Sequence, residues 1–191
     1  MLAALDIVES IRVFSRAEYE RVVATGVFDD DSVELLEGVI VRMPPPHGPE
    51  HDGTIQKLGL KLIALLGTRA VVRVQSAFAA SDQSEPEPDI AVVPVGEYLD
   101  EHPKVAFLVV EVADSSLARD RSAKADLYAA AGVPEYWVAD LVHRVIEIRT
   151  DPSDGKYTRL TTLRRGDTLT LASFPDVRIP VADILRSSAT R

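Results

Sequence analysis

Three side chains in this sequence are of types that could do chemistry together: Asp89, Glu111 and Lys124. Glu111 lies inside the run Phe107-Leu108-Val109-Val110-Glu111-Val112-Ala113. A segment apolar on both faces reads as a central, buried strand, and the two-residue period puts Glu111 on the face of Phe107, Val109 and Ala113. A carboxylate there is costly unless a cation, a hydrogen-bond network or a metal meets it. Asp89 opens the candidate strand Asp89–Val93, directly after Pro88. Two carboxylates on neighbouring strands repel each other unless one is protonated or a cation lies between them. A hard divalent ion such as magnesium takes one or two carboxylates plus waters, and it can polarise a phosphoryl oxygen and generate hydroxide. A plainer reading stays open, in which Asp89 caps a strand start and Glu111 pairs with a buried Arg or Lys.

Lys124 falls on the helix that follows, sharing a stripe with Leu117, Arg121 and Tyr128 at three- and four-residue spacing. A helix folded back on the sheet brings its ammonium to the carboxylates, where it can orient a water or stabilise developing charge. By spacing alone, Asp120 four residues earlier makes an ordinary exposed pair the simpler expectation. Glu34, in Val33-Glu34-Leu35-Leu36, is either a further acid of the same site or the exposed member of an amphipathic strand, and the pattern favours the second. His51, at the start of the second helix, fits a capping or packing role, and no second His at helical spacing supports zinc.

Other chemistries find no support. There is no cysteine, hence no thiolate metal site or cysteine nucleophile, and no G-x-S-x-G elbow, phosphate loop or dinucleotide fingerprint. The 21 basic and 30 acidic residues give a net charge of −9, which argues against a broad basic surface for nucleic acid but not against a local basic patch. Arg69/Arg73, Arg119/Arg121/Lys124 and Arg164/Arg165 are small basic groups that read as solvated faces by default. No apolar run reaches the roughly 20 residues of a membrane helix, and the acidic N-terminus lacks a signal's basic start. The expectation is a cytoplasmic protein without membrane contact.

The elements that must position these residues follow from local signals. Residues 1–13 read as a lead-in, 14–186 as one domain and 187–191 as a tail. Ser15 and Glu18 form a capping box, with Phe14 and Tyr19 at the staple positions, and Gly26 ends the first helix. SVELL and VIVRM form a hairpin about Glu37-Gly38, and Met43–Pro49, rich in proline, is a loop. Ile55, Leu58, Leu62 and Leu65/Leu66 mark a second helix closed by Gly67. Strands are expected at 70–80, 89–93 and 105–113, separated first by the acidic loop SDQSEPEP, then a helix over 116–131 closed by Gly132. EYWVAD, RVIEIRT, YTRLTTL and DTLTLASF are further strands, with Tyr136 and Trp137 in the core, and a short segment follows at 182–186. The result is an α/β (α+β) chain, a mixed central sheet flanked by helices.

Taken in order, Pro88-Asp89, a hydrophobic strand carrying Glu111, and a helix carrying Lys124 resemble the PD-(D/E)XK nuclease superfamily. The finer likeness is to the Uma-two family of restriction-endonuclease-like proteins. It is carried by Val33–Gly38, Pro49-Glu50-His51, Pro88-Asp89-Ile90, Leu108–Val112, Ser116–Arg121 with Lys124 and Tyr128, and Gly132–Val138, and it spans roughly residues 14–185. The resemblance implies a restriction endonuclease-like αβββαβ core. It implies Asp89 and Glu111 as ligands of Mg2+ or Mn2+, the Val112 carbonyl as a third, and Glu34 as an accessory acid. In one respect the chain departs from the superfamily: the position two after the glutamate, usually lysine, is Ala113, so the lysine's role passes to Lys124. The expected activity is metal-dependent endonucleolytic cleavage of DNA, with His51 and Glu34 as secondary contributors and a homodimer by analogy. The alternatives are a nuclease-fold binding or scaffolding protein without cleavage, and a nuclease for RNA or branched DNA.

Overall fold

A computed structural model of the chain describes residues 12–43 and 48–187. Most of the lead-in, the centre of the proline-rich loop and the tail beyond Ser187 lie outside the described residues. Helix α1 (Arg16–Val23) starts where its capping box places it: the Glu18 amide donates to Ser15 Oγ, and the Ser15 amide donates to the Glu18 carboxylate. The helix stops at Val23, before Gly26, and a run of turns leads to the hairpin β1 (Val33–Leu36) and β2 (Val39–Arg42). Glu37 and Gly38 both take positive φ, 49° and 78°, the pairing that a tight two-residue hairpin requires.

Gly38 is held from both sides. Its carbonyl accepts from Phe14 and its amide donates to the Gln83 carbonyl. A Cβ built there would sit 2.4 Å from Val13 Cβ. Gly38→Ala is therefore expected to cost more than the roughly 1 kcal/mol of a non-glycine residue in the left-handed region, because Val13 must also move. A urea midpoint equal to the parent's would show that the turn is not constrained in this way.

Helix α2 (Pro49–Leu66) buries Ile55, Leu58, Leu62 and Leu66 along one stripe, while Leu65 is exposed. It packs on a six-stranded sheet of order β3-β4-β5-β6-β7-β8: β3 (Val71–Val74), β4 (Ile90–Val93), β5 (Leu108–Ala113), β6 (Glu135–Asp140), β7 (Val145–Ser153) and β8 (Lys156–Leu163). Only β5 and β6 run parallel. The mixed sheet expected from the sequence is thus observed. The first strand is shorter than expected, because the chain leaves the sheet after Val74. The turn after β7 is tighter than expected, with strand on both sides of Asp154-Gly155. DTLTLASF does not form one strand: β9 (Thr168–Leu171) turns at Ala172-Ser173 into β10 (Phe174–Pro180), which leads to the short helix α5 (Val181–Ile184).

The sheet has two cores. Leu108, Val110 and Val112 face α2, Trp137 and the β9–β10 hairpin. Val109 and Ala113 face the opposite layer, with Phe78, Tyr128 and Tyr136. Tyr136 and Trp137 are both fully buried, and the Trp137 indole N–H donates to Glu135 at 2.7 Å. Phe107 does not share the Val109 face: it precedes the strand and packs edge-on against Phe174 at 5.3 Å, with the α2-side core. Among the described residues, no helix is long and apolar enough to cross a membrane.

The helix expected over 116–131 is divided. Residues Leu117–Arg119 form α3, Asp120–Lys124 a π-helical turn, and Ala125–Ala130 form α4. A π turn inserts extra length into a helix and rotates the turns beyond it. The Asp120 carbonyl accepts from Tyr136 OH at 3.0 Å, which ties the irregular turn to β6.

Candidate functional site

Asp89 immediately precedes β4. The β4–β5 register pairs Ile90 with Val110, so one further step sets Asp89 across from Glu111. The Val112 amide donates to Asp89 Oδ2 at 2.7 Å. An extended residue presents its N–H and C=O on the same strand edge, so the Val112 carbonyl also faces the Asp89 side. The other edge of β5 is occupied by its parallel pairing with β6.

Glu111, 5% exposed, lies among the apolar side chains beneath α4. Lys124 Nζ donates to its Oε1 at 2.9 Å, and Tyr128 OH donates to the same oxygen at 2.8 Å. Lys124 is itself 3% exposed and lies 3.3 Å from Glu34 Oε2. The expectation of an exposed Asp120–Lys124 pair fails because the helix folds onto the sheet and the π turn directs both residues inward. Asp120 is buried and accepts from Ser116 Oγ at 2.5 Å. The same turn separates Arg121 from its expected stripe. It reaches over β6 and β7 to Asp140 at 2.7 Å and to Glu147, while Lys124 and Tyr128 turn to Glu111.

Glu34 is not the exposed residue that its strand pattern favours. At 1% exposure it is buried, because the hairpin is covered by the segment 81–87, whose Glu85 bridges Leu35. Glu34 Oε2 accepts from the Glu87 amide at 3.3 Å. Its Oε1 has no hydrogen-bond donor, and the Arg119 guanidinium stands 3.8 Å away. His51 is buried in the first turn of α2, with Nε2 3.6 Å from Asp89 Oδ2 and Nδ1 3.3 Å from Asp52. Asp89, Glu111, Lys124, Glu34 and His51 therefore come together although they arise from five separate segments.

The electrostatics follow from this crowding. Burial pushes Glu111 up to about 8; Lys124 opposes that shift, while Asp89 and Asp120 reinforce it. Burial alone would depress the Lys124 ammonium, but the carboxylates of Glu111 and Glu34 outweigh it and hold the group charged well above its ordinary value. Burial likewise raises Glu87, and Glu34 and Asp89 add to the effect. For His51, desolvation disfavours the imidazolium, but the bond and charge of Asp89 outweigh it and raise the pKa.

Sequence reading missed Glu87 and Asp120 as members of this neighbourhood. The signal for Glu87 was its place two residues before Asp89, on the same face by strand period. The acidic, proline-rich run obscured it by reading as a solvated loop. Outside these groups lies a cleft of about 810 Å3, where Glu87 and Asp89 meet Asp29, Asp31 and Asp52. No Lys or Arg lines it among the described residues.

Among the described residues, no group of three or more acidic or imidazole side chains is placed to hold a metal ion. The donor set nevertheless suits a hard divalent ion that keeps several waters. Asp89 and Glu111 each engage a protein donor through one oxygen, Oδ2 and Oε1 respectively. The Val112 carbonyl lies on the same edge, and the buried Glu34 Oε1 has no donor.

The comparisons with known proteins agree with this architecture. A family model, Uma2, described as "Putative restriction endonuclease", matches residues 16–182, and the chain belongs to that family. Among solved structures, the fold is similar to a crystal structure from Anabaena variabilis described as a "putative nuclease belonging to DUF820". The TM-score is 0.72 over 90% of this chain and 97% of that one, at 14% identity, a likeness of fold. No curated protein matches the sequence.

Proposed function

We propose that the protein is a metal-dependent nuclease that hydrolyses phosphodiester bonds in DNA. The observation that carries this reading is the placement of Asp89 and Glu111 across adjacent strands, with Lys124 buried against Glu111. Asp89, Glu111 and the Val112 carbonyl would hold Mg2+ or Mn2+. When bound, the ion polarises the scissile phosphate and lowers the pKa of a water. Lys124 fixes Glu111 and supplies positive charge beside the reacting phosphate. His51 steadies Asp89, and Glu34 keeps the Lys124 ammonium protonated and in place. Membership of a restriction-endonuclease family supports nucleic acid as the substrate class. A homodimer would suit cleavage of both strands.

Nicking and linearisation of supercoiled DNA by the purified chain tests the proposal. Cleavage is expected with Mg2+ or Mn2+ and is expected to stop with a chelator. A second reading, a nuclease-fold protein that binds without cutting, draws on Ala113 at the usual lysine position and on the acidic cleft. Metal-saturated protein that leaves DNA and RNA intact would favour it.

The raised Glu111 gives the nuclease reading a pH signature. Protons compete with the cation at Glu111 below about 8. Cleavage at limiting metal is therefore expected to rise as pH increases through about 8. Without metal, the folded state holds this proton more tightly than the unfolded chain, whose carboxyl titrates near 4.5. Metal-free stability should therefore fall as pH rises between those two values. Rates at limiting metal that are flat on both sides of pH 8 would remove Glu111 from the ligand set.

A further inference from the structure

We propose that Tyr128 is a positioning residue that, together with Lys124, occupies one oxygen of Glu111 and leaves the other to face a cation. The inference rests on the metal reading above. A carboxylate rotates easily about its last torsion, so two free oxygens would not by themselves aim at Asp89. Lys124 is a flexible donor shared between Glu111 and Glu34, at 2.9 and 3.3 Å. Tyr128 is rigid by contrast. Its ring is fully buried between Phe78 and Tyr136, with centroids 6.4 and 5.1 Å away. Its hydroxyl donates to Glu111 Oε1 at 2.8 Å. Two donors on Oε1 direct Oε2 away from the helix. Asp89 shows the same division, with Oδ2 held by the Val112 amide. Each carboxylate thus presents one oxygen, which favours monodentate ligation.

The test is Mn2+ binding by electron paramagnetic resonance on the full chain, comparing parent, Tyr128→Phe and Tyr157→Phe. Tyr157→Phe also removes a partly buried hydroxyl, but one that bonds the Val133 carbonyl and not Glu111 or the π turn. Tyr128→Phe is expected to weaken Mn2+ binding roughly tenfold, the scale on which partners of metal ligands act, while Tyr157→Phe stays near the parent. Parent-like affinity in Tyr128→Phe, or equal losses in both variants, overturns the inference. Infrared difference spectra of the parent give a measurement that does not depend on a variant's folding. Adding metal should widen the separation of the carboxylate stretches, as one-oxygen ligation does; the narrowing typical of chelation by both oxygens overturns the inference. A parent that binds no Mn2+ overturns the metal reading itself, a failure visible before any variant is made.

Discussion

Asp89→Asn is expected to abolish metal-dependent cleavage while leaving the fold intact. Asparagine keeps a carbonyl oxygen that can accept from the Val112 amide, which now donates to Asp89 at 2.7 Å. Alanine would strand that buried N–H at a cost of about 1–3 kcal/mol, which would confuse loss of chemistry with loss of structure. What Asn removes is the negative charge opposite Glu111, and with it half of the anionic pair proposed to hold the ion. Loss of a single electrostatic contact to developing charge lowers turnover by roughly 10²–10³, and loss of an anionic ligand should cost at least that. The assay is supercoiled-DNA nicking at saturating metal, with circular dichroism and a urea midpoint to confirm folding. A folded Asp89→Asn protein that cuts as fast as the parent would mean that Asp89 is not a ligand.

Lys124→Met should have the largest effect on stability. Methionine matches the length of the lysine stem but leaves Glu111 and Glu34 buried without their ammonium. Removing one partner of a buried ion pair costs about 3–5 kcal/mol, and here one cation faces two carboxylates. The urea midpoint of metal-free protein should fall accordingly above about pH 8, where Glu111 of the parent is ionised, and by less below it, where Glu111 already carries a proton. Divalent metal should restore part of the loss, because a ligand bound only by the folded state adds about 2.7 kcal/mol at a hundredfold excess over its Kd. Cleavage should stay low even with stability restored, because the charge proposed to lie beside the phosphate is gone. A metal-free midpoint equal to the parent's would show that the carboxylates find another counterion. Arg119, 3.8 Å from Glu34, is the one to examine.

Features whose causes lie within a few residues were legible in the order of amino acids. Ser15 and Glu18 started α1, Glu37-Gly38 turned the first hairpin, and the apolar stripe from Ile55 to Leu66 made α2. Glu111 stood out because a carboxylate within an apolar strand demands a partner, a local argument about burial cost, and Asp89 at the head of another candidate strand was its natural companion; Lys124 joined them through the family resemblance. Which partner each group received depended on segments far apart in the chain. Glu34 reads as exposed along β1, yet the segment 81–87, some fifty residues later, covers it. Asp120 and Lys124 read as a surface pair, yet a π turn anchored by Tyr136 carries both inward and sends Arg121 to Asp140. DTLTLASF reads as one strand, yet the chain reverses within it at Ala172, whose amide is held by Glu135. Hydrogen-bond spacing within a helix or turn is written in neighbouring residues. Burial and charge pairing depend on which distant segments are pressed together, and no local pattern encodes that.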